Sequence, residues 1–132
     1  MNHRTRRSFV LASAAPFLAG RTAAAEDAHG TALIGVGNRG SYLLKVILQE
    51  PRAKVVAVCD TKPDRLDRAA SAAARDNPAT FSDYRKLLER KEVEAVFIAS
   101  PCDLHVEMAI AALRAGKHVY CEKPLGVTPE QI

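Results

Sequence analysis

The sequence has no tryptophan, and aromatic residues make up only 5% of its 132 residues. Its three cysteines, Cys59, Cys102 and Cys121, are far apart and form no C-x-x-C motif. This pattern predicts neither a disulfide framework nor a cysteine-based zinc site, and we expect no bound metal. Because no hydrophobic run approaches the ~20 residues that a membrane-spanning helix needs, we expect no transmembrane segment. A hydrophobic content of 48% suits one globular domain with an ordinary core.

Acidic residues are absent from the first 25 positions, which carry four of the 19 basic residues of the chain. The other 15 basic residues are balanced by 15 acidic ones, so the net charge of +4 arises entirely at the N-terminus. Since the rest of the chain is electrically neutral, its composition gives no indication of a nucleic-acid partner.

The N-terminus has the three parts of an export signal. Arg6 and Arg7 precede a weakly apolar run at 9–19, and three alanines at 23–25 supply an A-x-A cleavage site. The arginine pair followed by Ser8 and Phe9 resembles a twin-arginine signal, whose pathway exports folded proteins.

We therefore expect residues 1–25 to act as a twin-arginine signal peptide and the remainder to reach the periplasm. Residues 26–30 would form a short linker to a domain at 31–132. Two alternatives stay open: an ordinary Sec signal, and a basic N-terminus with no role in export.

From residue 31 onward, apolar runs alternate with helical patterns. The runs predict strands at 31–35, 54–59, 80–81, 94–100 and 118–121. The helical spacing predicts helices at 41–50, 64–75, 84–88 and 104–115. Near-continuous apolar strands indicate a parallel sheet buried on both faces, and the alternation indicates a doubly wound α/β fold with strand order 3-2-1-4-5.

The helix at 104–115 is expected to bury Val106, Ala109, Ile110 and Leu113, which share one face at helical spacing. The residues at 128–131 read Thr-Pro-Glu-Gln, a capping box with proline at the first helical position. This motif predicts that another helix begins there.

A G-x-G-x-x-G sequence joins the first strand to the first helix, with Asn38 and Arg39 between its last two glycines. Gly35 allows the tight turn, and the missing Cβ of Gly37 lets a pyrophosphate approach the backbone. Gly40 lets the helix pack closely on the strand. The helix N-terminus would offer its amides to the phosphates. The motif predicts a dinucleotide site, the alternative being a tight turn without a ligand.

Asp60 ends the second strand, 20 residues after Gly40. A carboxylate at this place accepts hydrogen bonds from the adenosine ribose hydroxyls and repels a 2′-phosphate, which favours NAD over NADP. Lys62 and Arg65 are close enough in the sequence to hold a phosphate, which favours NADP. The alternative role for Asp60 is that of a turn residue.

Two further loops are predicted at the carboxyl edge of the sheet. Ser100 and Pro101, with His105 after them, follow the fourth strand beside the first, at the switch point where ligands bind. Glu-Lys-Pro at 122–124 follows the fifth strand, and Lys123 there would donate to a substrate oxygen or stabilise developing negative charge. From the pattern alone two alternatives stay open: His105 lies near the cofactor or is an ordinary residue of the first helical turn, and Lys123 has this role or is a solvated lysine.

Together these residues resemble the N-terminal NAD(P)-binding domain of the Gfo/Idh/MocA oxidoreductases, the glucose-fructose oxidoreductase and inositol dehydrogenase family. The resemblance covers 31–132 and rests on the glycine loop, Asp60, Ser100-Pro101 with His105, and the stretch 115–124 that contains Glu-Lys-Pro. It implies a Rossmann-like fold that is incomplete here. It also implies that the family's second α/β domain, through which its members commonly form homo-oligomers, is absent.

The resemblance also implies roles for individual residues. Lys123 would be the catalytic residue beside nicotinamide and substrate, with Glu122 and Pro124 shaping the nicotinamide side of the pocket and His105 near the cofactor. The family often has asparagine where this chain has Cys102. The implied reaction is hydride transfer on a sugar, polyol or related carbonyl substrate. The alternatives are NAD-dependent glycoside hydrolysis and a non-catalytic remnant that binds the dinucleotide.

Overall fold

The computed structural model describes residues 28–132, so the predicted export signal lies outside the described residues. The strands are β1 (His29–Ile34), β2 (Ala53–Cys59), β3 (Ala79–Phe81), β4 (Ala95–Ile98) and β5 (His118–Cys121). The helices are α1 (Asn38–Ile47), α2 (Pro63–Ala72), α3 (Tyr84–Leu88) and α4 (His105–Arg114). All strand pairs are parallel, in the order β3-β2-β1-β4-β5. The predicted fold class and strand order are confirmed.

Two hydrophobic layers enclose the sheet. Leu33 packs with α1 and α2 on one face, and the next residue, Ile34, packs with α3 and α4 on the other. Both side chains are at most 2% exposed, which explains why β1 is apolar without alternation. Because all five strands are parallel, their carboxyl ends lie at one edge of the sheet. The loops predicted to bind ligand therefore meet there.

The predicted buried face of α4 is wrong at Ile110 and Leu113, whereas Ala109 is buried as predicted. The structure buries His105, Met108, Ala109 and Ala112, whereas Ile110 is 43% exposed and Leu113, predicted with it, is 61% exposed. The reason is the first turn: His105 is anchored inside the protein by hydrogen bonds from its ring to two loops. Positions three, four and seven residues after it then face the sheet.

Two segment boundaries also differ from the prediction. β1 begins at His29, two residues before the predicted start of the domain. The capping box of Thr128 and Gln131 is present, but Pro129–Gln131 forms a single 3₁₀ turn. Within the described part of the chain, no helix has the length and apolar character needed to cross a lipid bilayer.

Candidate functional site

The glycine turn is formed by a close approach of α1 to the end of β1. Gly35 has a φ of +85°, and a Cβ on it would lie 2.6 Å from the carbonyl oxygen of Ala99. A Cβ on Gly40 would overlap the carbonyl oxygen of Gly35. The first backbone hydrogen bond of α1 runs from the amide of Ser41 to the carbonyl of Gly37 at 2.7 Å. The preceding amides of the helix therefore have no acceptor within it and point out of its N-terminus.

Asp60 holds the glycine turn from the side of β2. Its Oδ2 accepts a hydrogen bond from the amide of Val36, and its Oδ1 accepts one from the amide of Lys62, both at 3.0 Å. The carboxylate is buried, and the guanidinium Nη1 of Arg65 lies 3.8 Å from Oδ2. Each carboxylate oxygen has capacity for a further hydrogen bond. Asp60 thus fixes the loop and retains the capacity to accept a ligand hydroxyl.

A cleft of about 510 Å³, here called the Asp60 cleft, opens at this edge of the sheet. The predicted site residues that line it come from the glycine turn, β2 and the loop after β4: Gly35, Gly37, Asn38, Asp60, Ser100 and Pro101. The guanidinium of Arg65 lies over the turn, 3.2 Å from where a Cβ on Gly37 would stand. A cationic group therefore faces the one glycine of the motif whose missing side chain leaves room for a phosphate.

A second cleft, here called the Lys123 cleft, has a volume of about 580 Å³. It shares Ala99 and Ser100 with the Asp60 cleft, so the two are adjacent along the carboxyl edge. Its other lining residues come from α1, from the loop after β4 with the start of α4, and from the end of β5: Arg39, Cys102, His105, Tyr120, Glu122 and Lys123. One trough thus leads from Asp60, past the glycine turn and Ser100, to Lys123.

Glu122 is paired with Arg39 across this trough. Its Oε1 lies 2.7 Å from both Nε and Nη2 of Arg39, although the two residues are 83 positions apart in the chain. The hydrogen bond from Arg39 lowers the pKa of Glu122 below its ordinary value of 4.5, and the pair raises that of Arg39. The pair ties the N-terminal turn of α1 to the end of β5. That either residue also contacts the cofactor stays a prediction.

His105 links the loops after β4 and β5. Its side chain is buried, with Nδ1 2.8 Å from the carbonyl oxygen of Pro124 and Nε2 2.9 Å from that of Ser100. Pro124 follows Lys123 through a cis peptide bond. Both ring nitrogens therefore face backbone oxygens, although the residue also lines the Lys123 cleft.

All the predicted site residues line one of the two clefts, except Gly40 and Pro124. Gly40 lies against Gly35, and the carbonyl of Pro124 faces His105. Sequence reasoning did not identify Ser82, Tyr84 and Leu104 as lining residues of the Asp60 cleft. Ser82 follows β3 at the same carboxyl edge. The expectation that residues directly after a parallel strand lie at the ligand-binding edge, which located Asp60, would also have located Ser82. Tyr84 and Leu104 carried no such signal, because both lie within predicted helices.

Residues 30–132 match the Gfo/Idh/MocA family model, described as an oxidoreductase family with an NAD-binding Rossmann fold. The chain belongs to this family. It is 40% identical over 116 residues to a glycosyl hydrolase family 109 protein of Saccharopolyspora erythraea. That alignment covers 80% of this chain and 25% of the relative, so the chain spans about a quarter of the relative's length.

Two solved structures of family members share the fold. The chain superposes on scyllo-inositol dehydrogenase from Lactobacillus casei, solved with NAD(H) and scyllo-inositol, with a TM-score of 0.72 and 30% identity. That match covers 79% of this chain and 30% of the dehydrogenase. For KijD10, a 3-ketoreductase from Actinomadura kijaniata with TDP-benzene and NADP, the TM-score is 0.70 at 34% identity, covering 79% and 31% of the two chains.

The geometry of the trough fits the NAD(P) cofactor of this family. The turn leaves no room for a Cβ at Gly35 or Gly40, and the N-terminus of α1 opens into the cleft that Gly37 and Arg65 line. Such a glycine turn at a helix N-terminus is the arrangement that binds a pyrophosphate. The chain is thus the NAD-binding Rossmann domain of a Gfo/Idh/MocA protein.

Proposed function

We propose that this domain binds NAD along the trough and presents it for hydride transfer to or from a sugar or polyol carbon. The observation that carries the proposal is the continuity of the trough, which has Asp60 at one end and Lys123 at the other. A nicotinamide supplies or accepts the hydride. The residues of this chain hold the two ends of the cofactor and polarise the reacting oxygen.

The adenosine end would lie in the Asp60 cleft. Asp60 accepts the ribose hydroxyls, and the amides at the start of α1 bind the pyrophosphate beside Gly37. A 2′-phosphate would meet the Asp60 carboxylate, which repels it, and Arg65, which attracts it. The burial of Asp60 favours NAD, because a buried carboxylate is little screened by solvent.

The nicotinamide end would lie beside Lys123. The Lys123 side chain is exposed to the cleft, and its ammonium makes no ion pair within residues 28–132. It is therefore available to donate to a substrate oxygen and to stabilise the negative charge that develops on it. The Arg39–Glu122 pair and the contact from His105 to Pro124 hold the backbone on both sides of Lys123.

Calorimetric titration of the chain with NAD tests cofactor binding, and no heat at millimolar NAD would refute it. Lys123→Ala, made in the protein encoded by the complete reading frame, should keep NAD affinity and lower kcat by about 10²–10³-fold. Lys91→Ala, a change at an exposed lysine remote from the trough, is the matched control. NAD binding without any turnover would leave the non-catalytic dinucleotide-binding role.

A second candidate is NAD-dependent glycoside hydrolysis, in which oxidation of the sugar is later reversed and NAD is regenerated. It is favoured by the 40% identity to a protein named glycosyl hydrolase family 109 protein. The two reactions differ in their redox balance. Accumulation of NADH in step with substrate consumption supports the oxidoreductase, whereas release of the aglycone with no net NADH supports the glycosidase.

We also propose that the protein is exported by the twin-arginine pathway, which would carry the folded domain with its cofactor. The proposal depends on Arg6-Arg7 and the alanines at 23–25, which lie outside the described residues. Residues 1–30 fused to a reporter should direct its export, and Arg6-Arg7→Lys-Lys should abolish that export. Undiminished export of the double variant would contradict the proposal.

A further inference from the structure

We propose that His105 is a positioning residue that holds the loop carrying Lys123, through contacts of its two ring nitrogens with that loop and with the loop after β4. The loop that carries Lys123, 122–126, is called the Lys123 loop. The inference rests on the proposed function only for the role of Lys123. The anchoring of the loop by His105 follows from the contacts within the domain.

His105 has two backbone oxygens as partners. Nδ1 lies 2.8 Å from the carbonyl oxygen of Pro124, and Nε2 lies 2.9 Å from that of Ser100. Because the residue is only 1% exposed, bulk water does not compete for these contacts.

The contacts explain how a buried residue affects the reacting end of the site. Ser100 belongs to the loop after β4, and Pro124 directly follows Lys123 in the loop after β5. Both loops border the Lys123 cleft. By joining them, His105 fixes the backbone on which Lys123 stands without contacting the substrate.

The positioning role is measured by comparing NAD with ADP-ribose, which lacks the nicotinamide. His105→Gln should weaken the binding of NAD by about fivefold, the effect of losing one ordinary hydrogen bond. Its affinity for ADP-ribose should change by less than about twofold, as for a change remote from the ligand. His118→Gln, the same substitution at an exposed site on β5, should alter neither. An equal loss for both ligands, or no loss, would overturn the positioning role.

Amide hydrogen exchange tests the anchoring without a cofactor, so it is decisive even if the chain fails to bind NAD and the proposed function is refuted. It uses the unsubstituted chain, so it also serves if His105→Gln fails to fold. The amides of the Lys123 loop should exchange more slowly than those of 128–132, which lie beyond the contact of His105 with Pro124. Equal exchange in the two segments would overturn the proposal.

Discussion

Replacing Gly40 by alanine should destabilise the domain, although alanine is the better helix former. Gly40 lies in the first turn of α1, where the substitution alone would gain about 1 kcal/mol. The new Cβ would overlap the carbonyl oxygen of Gly35 and would lie 3.7 Å from the Cβ of Ala99. The amide of Gly35 is held by the carbonyl of Cys59 at 2.8 Å, so the turn cannot simply move aside. Overpacking against such a fixed neighbour costs about 3 kcal/mol, which leaves a net loss of about 2 kcal/mol.

Urea unfolding with a matched control tests this reasoning. The control is Gly116→Ala, in which the backbone is strained and the new Cβ meets nothing. Gly116 has a φ of +73°, and its Cβ would have no neighbour within 4 Å. This substitution should lower the free energy of unfolding by about 1–2 kcal/mol through backbone strain alone, and it should leave NAD affinity unchanged. Gly40→Ala should lose both stability and NAD binding, because the overlap moves the amides at the start of α1. An alanine variant as stable as the parent would refute the close packing of α1 on β1.

Three further predictions concern the polar residues of the site. Asp60→Ala should weaken NAD more than NADP in calorimetric titrations, with Asp64→Ala, at an exposed position of α2, altering neither. Tighter binding of NADP by the parent would contradict the preference for NAD. Burial raises the pKa of Cys59 to about 12, so a thiol reagent at pH 8 should modify it only after unfolding. Rapid modification of Cys59 in the native chain would contradict that burial. Because Arg39 lowers the pKa of Glu122, the stabilisation from their pair should be present above 4.5 and lost as the pH falls through the lowered value. Arg39→Gln should remove this acid dependence of amide exchange in the Lys123 loop, and an unchanged profile would argue against the pair.

The features predicted correctly from the sequence depend on local backbone geometry or on connectivity. Gly35 and Gly40 follow from the space that a strand–turn–helix connection leaves, and that space is set within six residues. The strand order follows from the alternation of elements and the hand of their connections. Because parallel strands end at one edge, residues that directly follow the strands lie close together. This explains why Asp60, Ser100 and Lys123 line one trough.

The features that the sequence did not predict depend on contacts between distant segments. Counting apolar residues favoured Ile110 and Leu113 as the buried face of α4, since that method assigns a histidine to the surface. His105 is buried because Pro124, 19 residues later, returns beside it at the end of β5. The pairing of Arg39 with Glu122 likewise joins residues 83 positions apart. The spacing of residues within one segment carries no information about partners in a distant segment.

The contacts also change what loss of binding in a variant would mean. Asp60, Glu122 and His105 were all predicted as cofactor contacts, yet each uses its hydrogen-bonding groups to hold a loop of the protein. Under the proposed function the pyrophosphate is bound by backbone amides of α1, which no side-chain substitution removes. Changes at these three residues should therefore weaken one end of the cofactor more than the other. A distortion of the glycine turn itself, as in Gly40→Ala, should weaken the binding of NAD, ADP-ribose and NADP by similar factors.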